Sequence, residues 1–341
     1  MARYITASLT CNNCKAHQKP NVTNTMPQTE PQTEILDADA SGIARAATLL
    51  RAGRLVAFPT ETVYGLGADA TNDLAVAQIF AAKGRPTFNP LIVHVRSLDA
   101  ARKIARFDDT AERLAHTFWP GALTLVLPLN PDADIAPLVS AGLDTIAIRV
   151  PDHALAQDLL RGVDAPIAAP SANPSGKISP TTADHVLAGL SGIIDAVLEG
   201  GPCPVGLEST IVGTLPKPTL LRPGGLPAEA IEACLGFSLA THQRATPNAP
   251  GQLASHYAPG AALRLNALNG SKKEVLLGFG NMDCDLNLSL SGDLTEAAAN
   301  LFGHLHRLDQ TGRDIAVAPI PNNGLGRAIN DRLARAAAPR G

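Results

Sequence analysis

The stretch from Leu55 to Val95 reads LVAFPTETVYGLGADATNDLAVAQIFAAKGRPTFNPLIVHV and gathers the side chains best suited to chemistry. They are a hydroxyl-rich turn after Pro59, the cations Lys83 and Arg85, the Asn89 amide and the His94 imidazole. Brought together, such groups suit phosphates and a small zwitterion. The elements around them explain how they could meet. Leu55–Phe58 is a short apolar run between a glycine and Pro59, which predicts a strand. Asn72 and Asp73 can cap a helix carrying Leu74, Ile79 and Phe80, and Gly84 ends it. Lys83 and Arg85 therefore sit where the chain leaves the helix. Pro86, Asn89 and Pro90 then make a stiff connection to a second strand, Leu91–Val95.

Further motifs follow in order: WPGALTLVLP (119–128), AGLDTIAIRVPDH (141–153), PIAAPSANPSGKISPT (166–181), GLESTIV (206–212), LLRPGG (220–225) and PGQLASHYAP (250–259). Together with the first stretch they resemble the YrdC-like family in its long, two-domain form, the threonylcarbamoyl-AMP synthases. The resemblance runs closely over roughly residues 40–260, and it rests on the ordered set, since each motif alone is weak. It implies ATP, L-threonine and bicarbonate as substrates, with threonylcarbamoyl-adenylate and pyrophosphate as products. It further implies a separate downstream threonylcarbamoyl-transferase that modifies position 37 of tRNA.

The resemblance carries Thr62, His94, Arg149, the Ala169 backbone and Ser209 into a threonine site. Arg149 ends the strand TIAIRV, where a guanidinium fork can hold a carboxylate in two parallel bonds that a lysine cannot reproduce. It assigns Arg85, Asn89, Thr145, Ser171, Ser179, Arg222 and Tyr257 to ATP, and Lys83 is added to them. Lys83, Arg85 and Arg222 would offset triphosphate charge. Ser171 and Ser179 flank a loop able to turn backbone N–H groups towards phosphate oxygens. Mg2+ is expected to bridge phosphate oxygens, because no carboxylate cluster predicts a protein-held metal. Glu61 and Glu208 are the nearest candidates for a base, and each could equally be the structural partner of an arginine; the base stays unassigned. The tail of PGQLASHYAP, with His256 and Tyr257, is expected to fold over the nucleotide as a lid.

Composition bounds these readings. The chain has 341 residues, 45% hydrophobic and 17% charged, with 27 prolines and 29 glycines, which fits a globular protein of two domains with many ordered loops. A formal charge of −3 and 4% aromatic residues argue against a nucleic-acid-binding surface. No apolar run reaches the roughly 20 residues that cross a bilayer, so a cytoplasmic protein with no membrane partner is expected. The five cysteines are scattered and odd in number, unlike a disulfide framework. Cys11 and Cys14 with His17 could be half of a zinc site, but no second CxxC follows. Met26 is an alternative native start.

Organisation follows from periodicity. Ile43, Ala46, Ala47 and Leu50 have helical spacing up to Gly53. Strands are expected at Leu123–Leu127, Thr145–Val150, Ile167–Ala169, Ile194–Leu198, Ser209–Val212 and Thr219–Leu221. Helices are expected around Asp109–Phe118, His153–Arg161 and Thr182–Leu190. The mixture argues for an α/β or α+β domain with one large twisted sheet; the resemblance makes it a YrdC-like mixed sheet with flanking helices. Four segments result: a disordered extension (1–33), the catalytic domain (34–239), a linker or lid (240–260) and a small α/β domain (261–341). The last has expected strands at Ala262–Leu265, Val275–Phe279, Leu286–Leu290 and Ile315–Ala318 and helices at Leu294–Leu308 and Leu325–Ala337. It resembles the family's Rossmann-like second domain, although GFGNMD (278–283) lacks the spacing of a dinucleotide fingerprint, so no cofactor is assigned to it.

Two other readings compete. A carbamoyl-adenylate-forming maturation factor shares the fold, but such chains resemble larger ones with acylphosphatase and paired CxxC segments. An RNA-binding module of the same fold would need a basic concave face.

Overall fold

Short, largely buried strands and capped helices build the chain, and the computed structural model describes Met1 and residues 32–241 and 255–339. Everything below concerns the unit Pro31–Gly341. Cys11, Cys14, His17 and Met26 lie outside the described residues, as does most of the expected linker.

In chain order the first part runs β1 (Glu34–Leu36), α1 (Ala40–Arg51), β2 (Val56–Phe58), β3 (Gly65–Asp69), α2 (Asp73–Lys83), β4 (Ile92–His94), α3 (Leu98–Ile104), α4 (Asp109–Phe118), β5 (Leu123–Pro128), α5 (Pro137–Ser140), β6 (Thr145–Arg149), α6 (Ala154–Val163), β7 (Ile167–Ala168), α7 (Ala183–Leu190), β8 (Ala196–Leu198), β9 (Thr210–Gly213), β10 (Thr219–Arg222), α8 (Ala228–Leu235) and β11 (Ala240–Thr241). The second part runs β12 (Leu263–Arg264), β13 (Glu274–Gly278), β14 (Leu286–Asn287), α9 (Leu294–Asp309), β15 (Asp314–Val317) and α10 (Gly326–Ala336).

Among the described residues, eleven strands form one mixed sheet in the order β1-β8-β2-β3-β7-β4-β6-β5-β9-β10-β11, and β12-β15-β13-β14 form a second, parallel one. The architecture is the expected mixed sheet with flanking helices, joined to a small α/β part. Register places the chemistry. Strands β4 and β6 are parallel, with His94 opposite Arg149, while β9 runs parallel to β5 and antiparallel to β10, with Ile211 opposite Arg222. The C-terminal ends of β4, β6 and β10 thus meet the N-terminal ends of β5 and β9 at one edge of the sheet.

Local chemistry explains the element ends. The Asn72 side chain accepts from the amides of Leu74 and Ala75, and Gly84 stops α2 in the left-handed region at φ 59°, as its sequence predicts. Two readings need correction, and one strand was not expected. GLGAD forms β3 because β2 and β7 pair with it on both sides. The expected linker begins late, since Ala240–Thr241 pairs with β10 as β11. The expected extension ends early, because Thr33 is buried, donates to Ile194 O and accepts from Gly192 N.

The two parts share an apolar cluster in which Val63, Ile178 and Leu207 pack with Leu301, Phe302 and Ile329. Gly206 lets α9 come close: at φ 73°, a Cβ there would lie 2.5 Å from backbone atoms of Ala298 and Ala299.

Candidate functional site

At the sheet edge lies a cavity of about 50 Å³ whose wall includes Thr60, Thr62, His94, Arg149, Ala169, Ser171, Ser209, Arg85, Arg222, His256 and Tyr257. One end is built around Arg149. Its Nε donates to Gly121 O (3.1 Å), its Nη1 donates to Thr62 Oγ1 (2.7 Å), and its Nη2 lies 2.5 Å from Glu61 Oε1. Thr60 Oγ1 sits 2.8 Å from Thr62 Oγ1 and donates to Val63 O, which pins the TET turn beneath the guanidinium. His94 is fully enclosed. Burial, and then the neighbouring Arg149 charge, drive its pKa down to about 3, so the ring is neutral, and its Nδ1 has no partner among the described residues. The Ala169 N–H already donates to Ile92 O.

The other end carries cations oriented by carbonyl dipoles. Arg85 donates from Nε to Asn89 O (3.2 Å) and from Nη2 to Pro90 O (2.8 Å). Arg222 donates from Nη2 to Ser209 O (2.8 Å), while Ser209 Oγ also lies 2.7 Å from Thr124 Oγ1. The RPGG turn can deliver Arg222 there only because Gly224 lacks a side chain: a Cβ would sit 2.3 Å from Glu208 O and 2.4 Å from Thr210 N. Burial, opposed in part by Tyr257 and helped by the Arg222 charge, lowers the Arg85 pKa to about 10. Lys83 is lowered well below its usual value by burial, then by Arg85. Cations destabilised in this way favour a bound polyanion.

Several expected positions serve the walls from behind. Lys83 Nζ donates to Ser171 O and Asn173 O and does not line the cavity; it braces the SAN turn against the end of α2. Ser179 donates to Glu208 Oε1. Asn89 is buried with no partner for its amide among the described residues, and Thr145 lies at the far, N-terminal end of β6 from Arg149. Neither candidate base is free. Glu61 faces Arg149, and Glu208 Oε2 accepts from Arg332 Nε at 2.8 Å. Burial alone would raise the Glu208 pKa, but Arg332, Arg222 and Ser179 outweigh it and lower it.

The strap from Ser255 to Pro259 closes the cavity. Ala258 N donates to Gly176 O (2.8 Å) and pairs with Lys177 in an isolated bridge. Tyr257 adopts φ 63° and is 1% exposed, with its ring 5.8 Å from that of Phe302 and its hydroxyl without a partner among the described residues. It both lines the cavity, as expected of a lid, and packs on the second part. Burial holds His256 neutral, with its pKa lowered to about 3.

Thr60 and Arg332 were not singled out from sequence. Thr60 belongs to the hydroxyl-rich turn after Pro59 already noted. The one signal for Arg332 was a charge at the helical spacing of the apolar residues Ala328, Ile329, Leu333 and Ala336. Among the described residues no three His, Cys, Asp or Glu side chains converge as a metal site, and no helix is long and apolar enough to cross a membrane.

A family model for Sua5, YciO and YrdC, described as telomere recombination, matches residues 48–224, and one described as the threonylcarbamoyl-AMP synthase C-terminal domain matches residues 226–338. The threonylcarbamoyl-AMP synthase of Pyrococcus abyssi is 43% identical over 85% of this chain and 92% of its own length. The chain belongs to the threonylcarbamoyl-AMP synthase family. The Bacillus subtilis synthase is likewise 43% identical, over 89% of this chain and 95% of its own length. The crystal structure of P. abyssi Sua5 complexed with L-threonine superposes with a TM-score of 0.83 at 40% identity, covering 89% of this chain and 98% of that one. These matches span both parts, which sets the synthase reading above a maturation factor or an RNA-binding module. The protein is thus an adenylate-forming enzyme of nucleotidyltransferase type.

Proposed function

We propose that the cavity makes threonylcarbamoyl-AMP from L-threonine, bicarbonate or CO2, and ATP, with the Arg149 end holding threonine and the Arg85–Arg222 end holding phosphates. The observation that carries this is one wall with a buried carboxylate-binding fork at one end and buried guanidinium groups at the other. Gly121 and Thr62 take two of the five N–H groups of Arg149, and Glu61 lies against Nη2; N–H groups on both terminal nitrogens remain for the substrate carboxylate. His94, neutral and with Nδ1 unpartnered among the described residues, suits the threonine hydroxyl. The Ala169 carbonyl suits the amine, because its N–H is already donated.

Once the amine has captured CO2 as a carbamate, a carbamate oxygen attacks the α-phosphorus. An O–P bond forms as the bond from the α-phosphorus to the bridging oxygen breaks, and pyrophosphate leaves with that electron pair. Arg85 and Arg222 stabilise the negative charge on the leaving group. Ser171 in the wall, Asn89 and Ser179 behind it and Thr145 at the far end of β6 complete the ATP assignment, and Lys83 acts by holding the loop that carries Ser171. Mg2+ would enter with ATP and would offset phosphate charge; Glu208 and Glu61, the carboxylates at the cavity, are each tied to an arginine.

A cavity of about 50 Å³ is far below the roughly 300–1,000 Å³ of sites that enclose a ligand of this size. Tyr257 must therefore swing out for ATP and return to keep water from the labile adenylate. The product passes to a separate transferase acting on tRNA, in the cytoplasm. The test is pyrophosphate release with ATP, Mg2+ and bicarbonate, with and without L-threonine. Strong dependence on threonine is expected, and release that ignores threonine refutes the assignment.

A further inference from the structure

Among the apolar residues of α10, Arg332 is wholly buried, with 0% of its side chain exposed. A guanidinium in such a place is costly to enclose and is kept where its hydrogen bonds are specific. Its Nε donates to Glu208 Oε2 (2.8 Å) and its Nη1 donates to Pro223 O (2.9 Å) and Asp331 Oδ2 (2.7 Å). Glu208 precedes Ser209, and Pro223 follows Arg222, so one side chain grips both backbone segments that carry wall residues. Its carbon Cζ also lies 5.0 Å from the centre of the Tyr257 ring, within cation–π range. The ring is packed on its other contacts by Phe302 and His256.

We propose that Arg332 is a positioning residue: the second part of the chain uses it as a latch, holding Tyr257 in the closed position and fixing Glu208 beneath the nucleotide wall. This rests on the synthase reading above and assigns the second part a task in the reaction. Opening for ATP breaks the Arg332–Tyr257 contact while the bonds to Glu208 and Pro223 stay, so the ring has a fixed place to return to. Arg332 itself touches no reacting atom. What it governs is how long water is kept out while the adenylate exists.

The experiment uses the full chain and two readouts. The first is the ratio of pyrophosphate released to threonylcarbamoyl-AMP recovered, in wild type, Arg332→Met, Arg332→Lys, Tyr257→Ala and Tyr257→Ala/Arg332→Met. The second is amide hydrogen exchange over 255–259. Arg332→Met should raise the ratio about tenfold, as loss of the buried contact with the Tyr257 ring implies, and speed exchange in the strap. Arg332→Lys should lie between, since it keeps the charge without the fork. The double variant should be no worse than Tyr257→Ala, because both act through one closure; a purely structural arginine would add its loss in full. A wild-type ratio and wild-type exchange in Arg332→Met overturn the proposal, as does full additivity in the double variant. If Arg332→Met fails to fold, as judged by melting, Arg332→Lys decides by the same readouts. Wild-type pyrophosphate release that ignores threonine would sink the synthase reading alone, and the latch would then stand or fall on strap exchange.

Discussion

Arg149→Lys separates charge from geometry at the threonine end. In the structure the guanidinium serves three partners at once, Gly121 O, Thr62 Oγ1 and Glu61 Oε1, at 3.1, 2.7 and 2.5 Å. A lysine ammonium on an unforked stem can keep the Glu61 charge, but it cannot also span Gly121 and Thr62 and present two parallel N–H groups to a carboxylate. At least one charge-assisted bond to substrate is lost, about 1.5–3 kcal/mol, and at about 1.4 kcal/mol per decade this is a rise of about 10- to 100-fold in the threonine KM. Part of the cost falls on the free protein, because Thr62 and Gly121 lose a buried donor, so a modest drop in melting temperature accompanies it. The assay is pyrophosphate release against threonine concentration at saturating ATP, with ATP affinity measured separately by titration calorimetry. ATP binding should stay within about twofold, since the bonds that orient Arg85 and Arg222 do not involve Arg149. A folded variant with a wild-type threonine KM refutes the argument and makes Arg149 a structural partner of Glu61.

Other perturbations test other parts of the account. Burial holds His94 and His256 at a pKa of about 3 against 6.5 for the free side chain. The unfolded chain therefore binds protons that the fold refuses, and stability should fall as pH drops through about 6.5, by about 2 kcal/mol per histidine at about pH 5; denaturant melts that match at about pH 7.5 and 5 refute this. Gly224→Ala forces a Cβ to 2.3 Å from Glu208 O, so it should destabilise by about 1–3 kcal/mol or more and weaken ATP binding by displacing Arg222, measured by melting and calorimetry. Tyr257→Phe removes a hydroxyl that has no partner among the described residues; turnover should fall with an unchanged melting temperature, and unchanged turnover would show that only the ring matters. A chain starting at Met26 should melt and turn over as the full chain does, whereas one starting at Asp37 loses Thr33 and β1, with their bonds to Ile194 and β8, and should melt lower.

Much of the local architecture was determined by the sequence itself. The helix Asp109–Phe118 carries its own boundaries, with the Asp108 side chain accepting from Ala111 N at its start, and Asn72 and Gly84 delimit α2 through capping and a left-handed stop. Such signals act within a few residues, which is why they can be read without a fold. The motif order was likewise enough to name Thr62, His94, Arg149, Ala169, Ser209, Arg85, Ser171, Arg222 and Tyr257, which all line one cavity.

The tertiary structure decided whatever depends on partners distant in sequence. GLGAD becomes a strand only because β2 and β7 supply hydrogen bonds on both sides, overriding the turn preference of its glycines. Lys83 has the sequence surroundings of a phosphate ligand, but the fold puts carbonyls of Ser171 and Asn173 within its reach. Glu208 could have been a base or an ion-pair partner; Arg332, 124 residues further along the chain, makes it the partner. A buried charge is stable only against the groups that solvate it, and when those come from another part of the chain, only the folded structure reveals them.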